Sequence, residues 1–201
     1  MYKIIKPVKV PFISYPYEWS FGMYKDSALL TLEILKISLK YNMILKDSSS
    51  YNIQFIDSKP IFIDTLSFDK YEEGKPWEAY QQFCKHFLSP LVLMTYVSID
   101  LSKLMQIYID GIPLDLTSKI LPLKAKINPS IYMHIIMHSK SQEKHSLDAE
   151  KILNNQKILV DNKVSKQGLL SNIHNLESII RNLKWNKQKT ECGDASRAGA
   201  I

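Results

Sequence analysis

LKDSSSYNIQFIDSKPIFIDT, residues 45–65, sets an aspartate in a serine-rich loop that runs into two short apolar stretches. Asp, Ser and Asn are turn formers, because their side chains bond the nearby backbone and tolerate unusual φ. Asp47-x-x-x-x-Asn52 could therefore be an ordinary polar turn. It is also the spacing at which a carboxylate and an amide serve phosphoryl transfer, and the spacing alone is weak evidence. The residues that follow have to decide. YNIQFI (51–56) and PIFID (60–64) read as two short strands separated by Asp57-Ser58-Lys59.

With a three-residue loop, Ile56 faces Pro60 and the rest of the register follows. Ile53 then faces Ile63 and Phe55 faces Ile61, giving one apolar face to pack on the preceding helix. On the other face Gln54 meets Phe62, and Asn52 meets Asp64. Directly opposed residues have Cβ atoms roughly 4.5–5.5 Å apart, so an amide oxygen and a carboxylate would sit side by side. Such a pair suits Mg²⁺, a hard cation that prefers oxygen. Asp47, just upstream, would accept the proton of a substrate hydroxyl. The loop has no glycine for a left-handed position, and a two-residue loop would shift this register by one.

Working outward, residues 23–42 (MYKDSALLTLEILKISLKYN) carry the clearest helical pattern. Asp26, Glu33, Lys36 and Lys40 form one polar stripe, and leucines and isoleucines cover most of the remainder. Helices are expected again at 77–88, 90–97 and 101–109, with breaks at Gly111, Pro113 and Pro122. Residues 140–166 are polar and lysine-rich and read as a linker with one short helix. In 168–184, Leu169, Ile173, Leu176, Ile180 and Leu183 recur at helical spacing, so one apolar face requires a partner. The tail ECGDASRAGAI (191–201) reads as an unpacked end, and no internal repeat is present.

Composition narrows the classes. A chain of 201 residues with 45% hydrophobic content can bury a core. Its charge of +6 is spread out: residues 139–201 hold eleven Lys/Arg against seven Asp/Glu, without the dense basic cluster of a nucleic-acid arm. No nucleic-acid partner is expected, whereas an anionic ligand such as a nucleotide is compatible. Cys84 and Cys192 lie far apart, and the apolar context QQFCKHF makes Cys84 a buried thiol, which fits a reducing cytoplasm. The N-terminus lacks the apolar run of a signal peptide, and FLSPLVLMTYV (87–97) is too short to span a bilayer.

Other candidates are weaker. His134 and His138 in YMHIIMH have i,i+4 spacing, but Ile135 stands where a metalloprotease needs glutamate, and the apolar neighbours point to a strand or packed segment. His86 has Cys84 nearby but no local acid partner, against a Cys-His nucleophile. Tyr15, Tyr17 and Trp19 could wall a base or sugar, though such residues more often pack a core, and Glu18 is a candidate polar contact in a cleft. None of the six glycines forms a dinucleotide or SAM loop.

The order of helix, KDSSSYN, strand, turn and FIDT resembles the C-terminal lobe of kinase-like small-molecule phosphotransferases of the aminoglycoside and choline kinase type. That resemblance implies an α+β fold, mostly helical, with a short β-hairpin. It implies Asp47 as catalytic base, Asn52 and Asp64 as metal ligands, and ATP with Mg²⁺ as cofactors, while Tyr17 and Glu18 are the cofactor-contact candidates that the residues themselves offer. A longer likeness covers roughly residues 8–194. VPFISYPYEWSFGMYKDSALLTLEI, EEGKPWEAYQQFCKHFLSPLVLM and YIDGIPLDL are similar to the N-terminal region of bacterial class I SAM-dependent methyltransferase-type proteins, some of them nodulation-related or surface-polysaccharide proteins.

This likeness implies a kinase-like domain over 1–138 and, over 139–201, a polar linker and amphipathic helix leading to an absent methyltransferase domain. SAM would bind only in that absent domain. The chain departs from the pattern in three places. It reads TECGDASRAGAI where the family has a TEWGDYY-like continuation, and it begins just before the hinge-like SYPYEW, without an upstream lobe. Leu45-Lys46-Asp47 replaces His-Gly-Asp or His-Arg-Asp, and Thr65-Leu66 replaces Phe-Gly after Asp64. These departures bear on catalysis, not on fold, and no turnover is expected of this chain alone. The expected partners are a small hydroxylated substrate, a saccharide among the options, or the missing domains of the parent protein. Two alternatives to the kinase-like module stand: an active ATP- and Mg²⁺-dependent phosphotransferase, and a pseudokinase-like interaction scaffold.

Overall fold

The computed structural model describes residues 6–137 and 164–185. Residues 140–163 of the expected linker, His138, Cys192 and the tail 191–201 lie outside the described residues, while its last residues, 164–166, lead into the final helix. Helix α1 (Phe21–Lys40) is the central element. Ser20 caps it, its Oγ accepting from Met23 N at 3.3 Å. Tyr24, Ala28, Leu32, Leu35 and Leu39 repeat every three or four residues and are all but sealed from solvent. A turn with Asn42 in the left-handed region (φ 55°) ends it, a conformation asparagine tolerates.

Four short strands follow, paired in two antiparallel ribbons: β1 (Met43–Leu45) with β4 (Phe68–Lys70), and β2 (Ile53–Ile56) with β3 (Lys59–Phe62). In the second ribbon Ile53 pairs with Phe62, Gln54 with Ile61, Phe55 with Pro60 and Ile56 with Lys59. This corrects the expected register by one residue. The loop is Asp57-Ser58, both with positive φ (48° and 62°), so the tight primed turn forms without glycine. Asn52 consequently lies opposite Ile63, whose N–H donates to the Asn52 carbonyl at 2.9 Å, rather than opposite Asp64.

The helices expected at 77–88 and 90–97 are one continuous rod: α2 (Tyr80–Phe83), a π-helical turn (Cys84–Leu88) and α3 (Ser89–Tyr96). Pro90 explains the turn. In the wide turn Ser89 N–H donates to the Cys84 carbonyl. The next donor would be Pro90, which has no N–H, so the Lys85 carbonyl is left without a helical partner. Ile112 N–H takes it, at 3.1 Å. Gly111, at φ +86°, allows that approach, since a Cβ there would fall 2.6 Å from Lys85 Cβ and 3.0 Å from His86 Cδ2.

A 3₁₀ stretch (Ile99–Gln106), α4 (Leu114–Ile120), α5 (Leu123–Lys126) and α6 (Pro129–Ile131) complete this side. The segment Tyr132–Met137 is π-helical, not a strand: Asn128 Oδ1 caps α6 through Ser130 N and Ile131 N, and the chain continues in helical sense. Helix α7 (Lys166–Asn182) supplies the last layer. Its apolar face, Leu169, Ile173, Leu176 and Ile180, finds its partner in the core built on α1. Lys36 seals that seam through Glu177 at 2.6 Å. The protein is thus α+β and mostly helical.

Candidate functional site

The 45–52 loop is fastened to the body at nearly every residue. Trp77 Nε1 donates to the Leu45 carbonyl at 2.6 Å, and Lys46 N–H donates to the Ser67 carbonyl at 2.8 Å. The three consecutive serines do three different jobs. Ser48 docks on α2, its N–H donating to Gln82 Oε1 (2.8 Å) and its hydroxyl to the Ala79 carbonyl (2.7 Å). Ser49 caps the short 3₁₀ turn Ser50–Asn52, accepting from Tyr51 N at 3.2 Å. Ser50 Oγ, fully buried, lies 3.0 Å from His86 Nδ1.

Asp47 is half-buried at the start of this loop, with Oδ1 accepting from Ser49 N–H at 2.9 Å. Across from it stands His86, buried in the π-helical turn with its ring edge-on to Tyr51. Burial pushes the His86 pKa down to about 4, against the opposing pull of Asp47 and Asp110. The imidazole is therefore neutral at physiological pH. Glu78, Gln81, Gln82, Lys85 and Asp110 join His86 around a polar cleft beside the loop.

Asn52 and Asp64 are brought together, though not by strand pairing. Asn52 Nδ2 donates to Ser67 Oγ at 3.2 Å, and that hydroxyl donates to Asp64 Oδ2 at 2.5 Å. Asp64 Oδ1 accepts from Leu66 N–H at 2.8 Å. The Ser67 hydroxyl and then the Leu66 amide hold the Asp64 carboxyl below the usual carboxylate range. Sequence reasoning missed Ser67. The readable signal is Asp64-x-x-Ser67, a spacing at which a carboxylate and a hydroxyl close a tight turn.

A Mg²⁺ fits this donor set in part. Asn52 and Asp64 offer hard oxygen donors, and Mg²⁺ commonly takes one or two carboxylates and fills its remaining positions with waters and phosphate oxygens. Among the described residues no group of three or more His, Cys, Asp or Glu forms a self-sufficient metal cage.

Tyr17 and Glu18 are placed less openly. The Tyr17 ring stacks on Tyr15 (5.5 Å between centroids, 6° between planes), and Glu18 Oε2 accepts from Tyr15 N–H at 2.7 Å. Burial, then the neighbouring Tyr17 and Tyr15, raise the Tyr51 pKa, so three tyrosines gather beside the loop. Ser14 N–H and carbonyl are both taken by the Gln54 amide at 3.0 Å each. Trp19 belongs to the core, its Nε1 donating to Ser14 Oγ.

The remaining candidates are structural. His134 is buried, its Nδ1 bonded to Tyr80 OH (2.5 Å) and its Nε2 to Asn175 Oδ1 (2.8 Å), which ties α7 to α2. Cys84 is a buried free thiol whose pKa burial pushes up to about 12, so it stays protonated and inert. Among the described residues no helix is long and apolar enough to cross a membrane.

Neither a family model nor a solved structure matches the chain. Over 130 residues, 65% of its length, the chain is 37% identical to nodulation protein NoeA of Rhizobium meliloti (strain 1021), and the match spans 27% of that longer protein.

Proposed function

We propose that this chain is a kinase-like module of a class I SAM-dependent methyltransferase-type protein, in which Asp47, Asn52 and Asp64 form a Mg²⁺-dependent phosphoryl site. What supports the reading most is the convergence of Asn52 and Asp64 on Ser67, whose carbonyl also receives the Lys46 N–H next to Asp47. One residue thereby links all three members of the constellation. The similarity to NoeA supports a relation to nodulation proteins at the level of the parent protein.

In this reading Asn52 and Asp64 would hold Mg²⁺, which would neutralise charge on the phosphate oxygens. Asp47 accepts the proton of an attacking hydroxyl, its orientation fixed by the Ser49 amide. The polar cleft lined by Gln82, Lys85, neutral His86 and Asp110 receives the hydroxylated substrate. The six glycines spell no dinucleotide or SAM loop, and in this reading SAM would bind in another part of such a protein.

One observation favours the scaffold reading instead. Ser14 and Tyr15, the hinge-like backbone groups that would recognise a base, are already bonded to Gln54 and Glu18. Calorimetry of this chain with ATP separates the two. Heat of binding that requires Mg²⁺ is the expected result, and silence at millimolar ATP with and without Mg²⁺ leaves the scaffold.

A further inference from the structure

The cation site proposed above rests on two side chains from different segments, and neither segment by itself aims them at a common point. Asn52 ends a 3₁₀ turn and Asp64 follows β3, and the hairpin register sets Asn52 against Ile63. Their convergence depends on one hydroxyl. Ser67 is 1% exposed and makes no contact with solvent that could explain a hydroxyl there. Its Oγ accepts from Asn52 Nδ2 and donates to Asp64 Oδ2, using the donor and an acceptor of the hydroxyl together.

We infer that Ser67 is the positioning residue of this divalent-cation site, a role that rests on the reading of Asn52 and Asp64 as its ligands. Two consequences follow from the bond directions. Because Asn52 bonds Ser67 through Nδ2, that bond leaves its Oδ1, the atom a hard cation needs, unused by the hydroxyl. Because Ser67 and the Leu66 amide each occupy one site on Asp64, the carboxylate is fixed in rotation while each oxygen keeps a further lone pair. The Ser67 carbonyl anchors Lys46 N–H at 2.8 Å, so the same residue holds the start of the Asp47 loop. Alanine at 67 keeps that backbone bond and removes only the hydroxyl, which isolates the side-chain role.

Mn²⁺ titration followed by electron paramagnetic resonance, run on this chain with no nucleotide, tests the inference. The wild type should bind Mn²⁺, and Asp64→Asn should lose it. Ser67→Ala should weaken binding by about 10–100-fold, the usual effect of removing a group that orients a metal ligand. Ser67→Thr, which keeps the hydroxyl, should recover most of the affinity. Melting curves check that each variant folds, and Ser67→Cys, similar in size but a poor hydrogen-bonding group, replaces the alanine variant if that one does not. Wild-type affinity in Ser67→Ala, with loss in Asp64→Asn, overturns the role of Ser67 and leaves the site standing. Equal losses in the alanine and threonine variants also count against it, because packing would then be responsible. No Mn²⁺ binding by the wild type, or binding unaffected by Asp64→Asn, removes the cation site and the inference with it.

Discussion

Ser50 and His86 share a buried hydrogen bond of 3.0 Å, and it joins the Asp47 loop to the π-helical turn of the long rod. The ring is neutral because burial lowers its pKa more than Asp47 and Asp110 raise it. The folded pKa of His86 is about 4, below its ordinary 6.5. Between those values the unfolded chain carries the proton and the folded chain does not, so stability falls as pH falls. The contribution is complete above pH 6.5 and lost by about pH 4, and 2.5 pH units correspond to about 3 kcal/mol. Thermal melts from pH 7 to 4 should therefore show a steeper loss in the wild type than in His86→Asn. Parallel curves would mean that this ring is not buried neutral.

Gly111 should be irreplaceable for the same assembly. A Cβ at φ +86° meets Lys85 Cβ at 2.6 Å and the Lys85 carbonyl carbon at 2.9 Å, the second being backbone that cannot rotate away. Left-handed strain alone costs about 1–2 kcal/mol, and the clash adds to it. Gly111→Ala should lower stability by about 2 kcal/mol or more in a denaturant melt. Gly168→Ala is the control: that site is exposed, in ordinary helical conformation and only 3.4 Å from Ser165 Oγ at closest, so it should be neutral or mildly stabilising.

The hairpin turn is strained in a correctable way. Asp57 and Ser58 both hold positive φ, positions that Asn and Gly fill at lower cost. Asp57→Asn with Ser58→Gly should raise stability by about 1 kcal/mol, well within the range of turn effects. A three-residue loop would gain nothing from this pair of changes, so the melting temperature reports the register.

Asp47 and Asp64 should fail differently in any longer protein that carries this site in active form. Asp47→Asn removes the proton acceptor, so turnover should fall by about 10²–10⁴-fold with nucleotide affinity kept. Asp64→Asn removes a ligand charge and should weaken Mg²⁺ and nucleotide together. Indifference of both binding and turnover to both substitutions would speak for a scaffold.

Much of this was legible in the chain, and the failures have specific causes. Helix α1 was readable because its apolar residues repeat over some twenty positions, though it was placed at 23–42, two residues late, because the Ser20 cap was not used. β1 and β4 were not, since three residues are too few to show a period. Residues 77–88 and 90–97 were read as two helices, but the Ile112 amide satisfies the carbonyl that Pro90 orphans, and the rod continues. The hairpin register slipped because Asp57-Ser58 enters the left-handed region without glycine. Asp47 and Asn52 were singled out by their spacing, and Asp64 through a register that the hairpin does not adopt. Ser67 was passed over: its short-range bond to Asp64 is readable in Asp64-x-x-Ser67, but its bond to Asn52 joins two segments that only the fold brings together.

The most direct measurement is the location of a bound cation. Crystals of this chain grown with Mn²⁺ and a non-hydrolysable ATP analogue would give an anomalous difference map. One peak is expected within coordination distance of Asn52 Oδ1 and an Asp64 carboxylate oxygen, with phosphate oxygens completing the shell. A well-occupied nucleotide with Mn²⁺ elsewhere, or crystals in which neither binds, would contradict it.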